Sequence, residues 1–341
     1  MTQRDGIAFV SFTKRGAELA ERLQKALGGE TASNVALSAW TADNFPVRRA
    51  LVYVGAVGIA VRAIAPYLQS KATDPAVIAV DERGLFAVPL ASGHLGGAND
   101  LARQIASLTG GTAVVTTATD INGVFAVDAW ARRQDCVVIQ PSGIKSVSAK
   151  LLDGGTVRLF TAFPIAGTVP DGVEVLDGLT NPDGAEASET APESADIWLD
   201  TRRHPPLSLT PKALVLGVGC RRGIARETLE RRFSALCEDC DLWPQAFSAA
   251  ATIDLKADES GLLDFCAAHG WKLRTFSADE LRNVQGTFTA SAFVERRTGV
   301  DNVCERAAVA LSQSDLLVRK RAGEGVTFAV AQRRMRFDWS W

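Results

Sequence analysis

Short runs of mostly apolar residues alternate with amphipathic stretches of helical period along most of this chain. That pattern is expected of a largely parallel sheet covered by helices. "GIAFVSF" reads as a first strand and "KRGAELAERLQKAL" as the helix that returns from it. "NVALSAW", "ALVYVGAVG" running into "IAVRAIAPYLQ", "AVIAVD" and "LFAVPL" continue the series, and "TAVVTTATD" closes it ahead of a helix starting near Val124. These elements predict an open, doubly wound α/β domain over residues 1–124.

The texture then changes. Residues 125–205 carry shorter helices and strands, interrupted by "DGLTNPDGAEASETAPESAD" at 177–196, whose Pro, Gly, Ser, Thr and acidic content predicts a mobile loop. The prolines of "DTRRHPPLSLTPKA" mark a linker. Beyond it, "LVLGVGC", "AAATIDL", "KLRTF" and "DLLVRK" alternate with helical runs such as "GIARETLERRFSALC" and "VCERAAVALS". A second α/β domain is therefore expected over 212–341.

Composition narrows the class. With 341 residues, 47% hydrophobic, 22% charged and a formal net charge of −2, the chain reads as a soluble globular protein without the basic excess that would suit nucleic acid. No apolar run approaches the ~18 residues of a membrane span. The start, "MTQRDGIAFVSF", lacks the regions of a signal peptide, so a cytoplasmic location is expected. Six cysteines are too sparse for a disulfide framework, and reduced thiols are expected. "CEDC" at 237–240 has the spacing of half a zinc site, but no second CxxC or HxxxH completes the four ligands, so no metal site is assigned.

Three apolar runs lead into glycines and then a helical pattern. They contain Gly55 and Gly58 in "VYVGAVGIAVRAI", Gly93, Gly96 and Gly97 in "VPLASGHLGGANDLARQIA", and Gly217, Gly219 and Gly223 in "VLGVGCRRGIA". Glycine admits close approach to the backbone, and first-turn N–H groups favour negative charge, so each is a candidate anion site at the carboxyl end of a strand. The alternative is that the glycines only make tight turns. Arg62, Arg221 and Arg222 add cations to two of them. No GxxxxGK[ST] occurs, and "GVGCRRG" spaces its third glycine one position too far for a dinucleotide fingerprint. A polycarboxylate remains the anion that several such sites would suit.

The stretch "GAVGIAVRAIAPYLQSKATDPAVIAVDERGLFAVPLASGHLGGANDLARQIA" resembles the amino-terminal domain of the cobalt-precorrin-5A hydrolases of anaerobic cobalamin biosynthesis. "DAWARRQDCVVIQPSGIKSVSAKLLDGGTVRLF" is similar to that family's middle region, and "LVLGVGCRRGI", "TIDLKADESGLLDFC", "TGVDNVCERAAVAL" and "GVTFAVA" to its carboxy-terminal domain. SGHLGGAN and the run Lys71, Asp74, Pro75 are the most specific signals. The resemblance implies opening of a δ-lactone on a cobalt-bearing tetrapyrrole polycarboxylate, with release of acetaldehyde. It implies no cofactor beyond the cobalt that the substrate carries, and neighbouring cobalamin-pathway enzymes as partners. Two other readings are a non-catalytic carrier of corrinoid intermediates and, on "GVGCRRG" alone, a nicotinamide-dependent oxidoreductase.

Such a reaction needs a base, donors for a developing oxyanion, and an electron sink that the macrocycle supplies. His94, one of three histidines, is the candidate acid or base, or else it caps a helix or binds a substrate carboxylate. Amides around Gly96 and Gly97 are candidate oxyanion donors, with Ser92 and Asn99 orienting water or a side chain. Lys71 and Asp74 read as a carboxylate clamp and second base, or as a surface ion pair. Thr116, Thr117, Asp120 and Asn122 form a polar set at a strand end, where Asp120 could instead cap a helix. Cys220 is a candidate nucleophile or a buried thiol, and Glu305 faces a cleft or a helix flank.

Overall fold

The computed structural model describes residues 4–71, 73–177 and 194–341. The chain divides into two compact units, Met1–Arg132 with Ser148–Gly155 and Trp341, and Arg133–Val147 with Thr156–Ser340. Of the expected mobile loop, residues 178–193 lie outside the described residues.

The first unit is a six-stranded sheet in the order β2-β1-β3-β4-β5-β6. Its strands are β1 (Ile7–Ser11), β2 (Glu30–Ser33), β3 (Ala50–Val54), β4 (Ala76–Val80), β5 (Phe86–Ala91) and β6 (Thr112–Ala113). Its helices are α1 (Lys14–Leu27), α2 (Leu37–Asn44), α3 (Val57–Ile64), α4 (Ala98–Thr109), α5 (Ala118–Ile121) and α6 (Val127–Arg133). Strands β1, β3 and β4 are buried at every position and apolar except at Ser11, as strands covered on both faces are. Alternate residues feed two cores. Ile7, Phe9, Val52, Val54, Ile78 and Val80 pack on one side, and Val10, Leu51, Tyr53, Val77 and Ala79 on the other. Helix α1 starts where the Thr13 hydroxyl accepts from the Gly16 amide, and it buries Gly16, Leu19, Ala20 and Leu23, one stripe at helical spacing.

Two expectations change here. "NVALSAW" enters α2, because Leu37, Trp40, Thr41 and Asn44 recur at helical spacing, with Thr41 donating to or accepting from the buried Tyr53 hydroxyl at 3.0 Å. The strand beside β1 is instead "ETAS", mostly exposed at the sheet edge and without an apolar signal. The larger change is the direction of β5. Strands β1 to β4 are parallel, but β5 runs antiparallel to β4, with Val80 opposite Ala87 and Val77 opposite Ala91. The reversal is made by "VDERG". Asp81 accepts from the Arg83 and Phe86 amides at 2.9 and 2.6 Å, and Gly84, at φ +72°, closes the turn. Asp81 is thus a turn former, and Glu82 accepts from the Thr13 hydroxyl at 2.7 Å.

The second unit holds two five-stranded sheets and a small two-stranded one. After β7 (Cys136–Ile139), α7 (Gly143–Leu152, whose residues from Ser148 on belong to the first unit) and β8 (Val157–Thr161) come β9 (Ile165–Ala166), β10 (Val173–Asp177), β11 (Ile197–Leu199) and β12 (Ser208–Pro211). Their main sheet runs β10-β8-β11-β12-β7, antiparallel only at β12/β7. The carboxy-terminal part comprises β13 (Leu214–Cys220), α8 (Arg226–Asp239), β14 (Phe247–Ile253), α9 (Ser260–Ala268), β15 (Lys272–Phe276), α10 (Ala278–Arg282), α11 (Ala292–Thr298), α12 (Cys304–Ser312), β16 (Leu316–Gly323), β17 (Val326–Gln332) and β18 (Phe337–Asp338). Its sheet order is β15-β14-β13-β17-β16, and the α/β character expected there is present. Among the described residues, no helix is long and apolar enough to cross a membrane.

Candidate active site

Because β5 reverses, "SGHLGGAN" emerges at the edge where β1, β3 and β4 begin. Short β6 runs parallel to β5 and delivers Thr116, Thr117 and α5 to that same edge. Ser92 leaves β5 at φ +56° and donates its hydroxyl to the Asp74 carbonyl at 2.9 Å, tying the loop to the segment before β4. The loop then folds onto the start of α4. Amides of Gly97, Ala98 and Asn99 donate to the carbonyls of His94, Ser92 and Gly93 at 2.9, 3.1 and 3.0 Å. Gly97 needs its φ of +83° to enter the helix, and a Cβ on Gly96 would lie 2.4 Å from that of Ser92. The glycines thus shape the loop, and the Gly97 amide, expected to face an oxyanion, faces His94 instead.

The loop carries His94 into a ring of charges. Its Nδ1 lies 2.9 Å from Asp128 Oδ1, in the first turn of α6, and its Nε2 lies 2.6 Å from Asp120 Oδ2 on α5. Asp120 is held further by Asn99 Nδ2 at 3.1 Å and by the Arg103 guanidinium, while Asn99 also donates to the Thr117 hydroxyl at 3.0 Å. Arg132 donates to the His94 carbonyl at 2.9 Å and pairs with Asp100, which also takes Arg103 at 3.1 Å. Burial of the ring works against its charge, but hydrogen bonds and charge from Asp128, then Asp120, outweigh it and raise the His94 pKa above 6.5. Burial likewise pushes Asp120 upward, and His94 and Arg103 more than reverse it, holding the carboxyl below 3.8. Both ring nitrogens face carboxylate oxygens, an arrangement that favours the imidazolium, the form with a proton to give.

The other sequence-predicted residues fall in three places. Near His94, Asp74 accepts from the Gln69 and Ser70 amides at 2.9 and 3.0 Å, beside exposed Lys71, so its carboxylate shapes the turn. Thr116 is exposed, and Asn122 closes α5 by donating to the Ala118 carbonyl at 2.9 Å. Gly55, Gly58 and Arg62 stand at the opposite edge, roughly 16 Å away along five residues of strand. The glycine turns of the first unit therefore do not share one edge. Phe12 fills the space beside Gly55, where a Cβ would meet its ring at 2.7 Å.

The third glycine motif is not a turn at its first two glycines. Gly217 and Gly219 lie inside β13, which pairs with β17 as far as Cys220. A Cβ on Gly217 would sit 1.8 Å from the Cys304 carbonyl oxygen of α12, and one on Gly219 would sit 2.4 Å from the Thr327 hydroxyl. These glycines serve packing of a helix and a strand. Burial pushes the Cys220 thiol up to about 11 and the Cys237 thiol to about 12, which leaves little thiolate in either. Arg221 and Arg222 follow on the surface.

Glu305 is fully buried and accepts from the Thr289 amide and hydroxyl, Asn302 Nδ2 and the Lys320 amide, at 2.6 to 2.9 Å. One carboxylate thereby joins α12 to two other segments. Glu305→Ala should cost about 3 kcal/mol in urea denaturation, since four donors lose their acceptor in the interior.

Models described as "Cobalamin synthesis G N-terminal" and "Cobalamin synthesis G C-terminus" match residues 39–120 and 214–331. A protein of Salmonella typhimurium named cobalt-precorrin-5A hydrolase is 33% identical over 296 residues, covering 84% of this chain and 82% of the relative. The chain belongs to the cobalt-precorrin-5A hydrolase family. A second member of that family, from Priestia megaterium, is 28% identical over 97% of this chain and 96% of its own length. The crystal structure of CobE, a protein from the cobalamin (vitamin B12) biosynthetic pathway, is 29% identical over 35% of this chain and 89% of that chain, with a TM-score of 0.34.

In this cobalt-precorrin-5A hydrolase family member the structure joins His94 and Asn99 of one sequence-predicted set to Thr117 and Asp120 of another, and adds Asp100, Arg103, Asp128 and Arg132, which the sequence did not single out. For Asp128 a signal existed. It is a lone acid inside the apolar run "VFAVDAWA", where an unpartnered charge would be costly.

Proposed function

We propose that the protein hydrolyses cobalt-precorrin-5A, opening its δ-lactone and releasing acetaldehyde to give cobalt-precorrin-5B. The observation that carries this reading is 33% identity, over 84% of the chain, to a relative of that name. His94 supports it chemically. Water adds to the lactone carbonyl and loses a proton to solvent, and as the carbon–oxygen bond breaks the leaving alkoxide takes the His94 proton. The neutral ring then takes the proton of the new hydroxyl as the carbon–carbon bond breaks, acetaldehyde leaves, and the electron pair passes into the macrocycle. Lys71, Thr116 and Asn122, on the same edge, are the candidates for substrate carboxylates. Cobalt arrives with the substrate, and the protein works in the cytoplasm among enzymes of the same pathway. The test is to incubate cobalt-precorrin-5A with the full-length protein and trap acetaldehyde. Release above the protein-free control is expected, and its absence would overturn the reading.

A further inference from the structure

Asp120 and Asp128 both face His94, yet they are built differently. Asp120 sits on a single helical turn followed by exposed Ile121, Asn122 and Gly123. It has a second cation in Arg103 and a further donor in Asn99. Asp128 has neither. Among the described residues His94 is its sole cationic partner, and its side chain is 8% exposed against 16% for Asp120. A buried carboxylate cannot leave its only cation cheaply, whereas one shared with an arginine can. Of the two ring nitrogens, only Nε2 can therefore be uncovered while every charge keeps a partner.

We propose that Asp128 is a positioning residue that fixes Nδ1–H of His94 throughout the reaction, so that Nε2 alone exchanges protons with substrate. Asp120 holds Nε2 at rest and swings onto Arg103 and Asn99 when substrate oxygen takes its place. The inference rests on the proposed hydrolysis for its catalytic meaning. When His94 gives up its Nε2 proton, Asp128 keeps the remaining proton on Nδ1, which leaves the Nε2 lone pair directed at the product hydroxyl for the return transfer. No net proton is gained or lost by Asp128. The charged groups around the ring are Asp120 on α5, Asp128 and Arg132 on α6, and Asp100 and Arg103 on α4.

The experiment compares the wild-type protein with Asp128→Asn and Asp128→Glu, using acetaldehyde release from cobalt-precorrin-5A across pH and NMR titration of His94. Asp128→Asn should lower kcat by about 10²-fold or more while KM changes little, because the amide can accept or donate at Nδ1 and no longer selects one tautomer. Its alkaline limb should move to lower pH, since one of two carboxylates favouring the imidazolium is gone. Asp128→Glu should restore part of kcat and return the limb toward the wild-type position. An unchanged limb, or a kcat within about twofold of wild type in Asp128→Asn, overturns the proposal. So does loss of activity in Asp128→Asn that parallels loss of folded protein. If the wild type releases no acetaldehyde the proposed function fails by itself, and the His94 titration still decides. A His94 pKa unmoved by Asp128→Asn sinks the inference, and a lowered one upholds the fixed Nδ1 partner.

Discussion

His94→Ala is expected to lower acetaldehyde release by about 10³-fold, within the usual range for a lost acid/base group, and to lower stability by about 3 kcal/mol. The two losses have different origins. Turnover falls because no other proton donor is placed between α4, α5 and α6. Stability falls because Asp128 loses its cation in a nearly buried position, while Asp120 keeps Arg103 and Asn99. His94→Gln separates them, since its amide can still donate to one carboxylate. It should recover part of the stability and none of the turnover. The pH dependence has a definite sign. The raised pKa of His94 means that its contribution to stability is full below pH 6.5 and is lost as pH rises through the folded value. Asp120, lowered by its partners, contributes above 3.8 and loses that contribution as pH falls through its own folded value. Urea midpoints measured across pH should thus fall on the alkaline side in the wild type and be flatter there in His94→Ala. A His94→Ala protein that keeps both its turnover and its alkaline fall would remove His94 from the chemistry and the ion network together.

How much of this was legible in the sequence depends on what each residue's neighbours are. The apolar runs of β1, β3, β4, β13 and β14 announce strands buried on both faces, and the stripe of α1 announces a covering helix; both signals are local. The edge strand β2 is invisible because "ETAS" buries almost nothing. The direction of β5 was half legible. "VDERG" reads as a turn, and its shortness permits only a hairpin, yet the alternating pattern suggested one more parallel strand. From that one reversal follows the separation of Gly55 and Arg62 from His94. Asn99 after one predicted strand, and Thr117 and Asp120 after another, were readable as polar residues at strand ends, though not as neighbours of each other. The pairing of His94 with Asp128 spans 34 positions and three elements, so no spacing rule reveals it.

The glycines supply the second large expected effect, because they separate residues needed by the fold from residues free to serve a ligand. Gly217→Ala should destabilise the protein by about 3 kcal/mol, the upper end for overpacking, or prevent folding. The added methyl would lie 1.8 Å from the Cys304 carbonyl oxygen and 2.9 Å from the Ala308 side chain, and backbone cannot rotate aside as a side chain can. Relief requires α12 to lift from β13, which disturbs the core of Val215, Ala251, Val303 and Ala307 and strains the Glu305 contacts at the same helix start. Gly58→Ala is the counterpart. Nothing lies within 4 Å of the Cβ it would gain, its φ is not positive, and it stands within α3, where alanine is favoured by about 0.5–1 kcal/mol. Thermal or urea unfolding should therefore show opposite signs for two glycines that look alike in the sequence. If Gly217→Ala were instead harmless to stability but abolished turnover, the close approach of α12 would not be what requires that glycine, and β13 would return to candidacy as a ligand-facing strand.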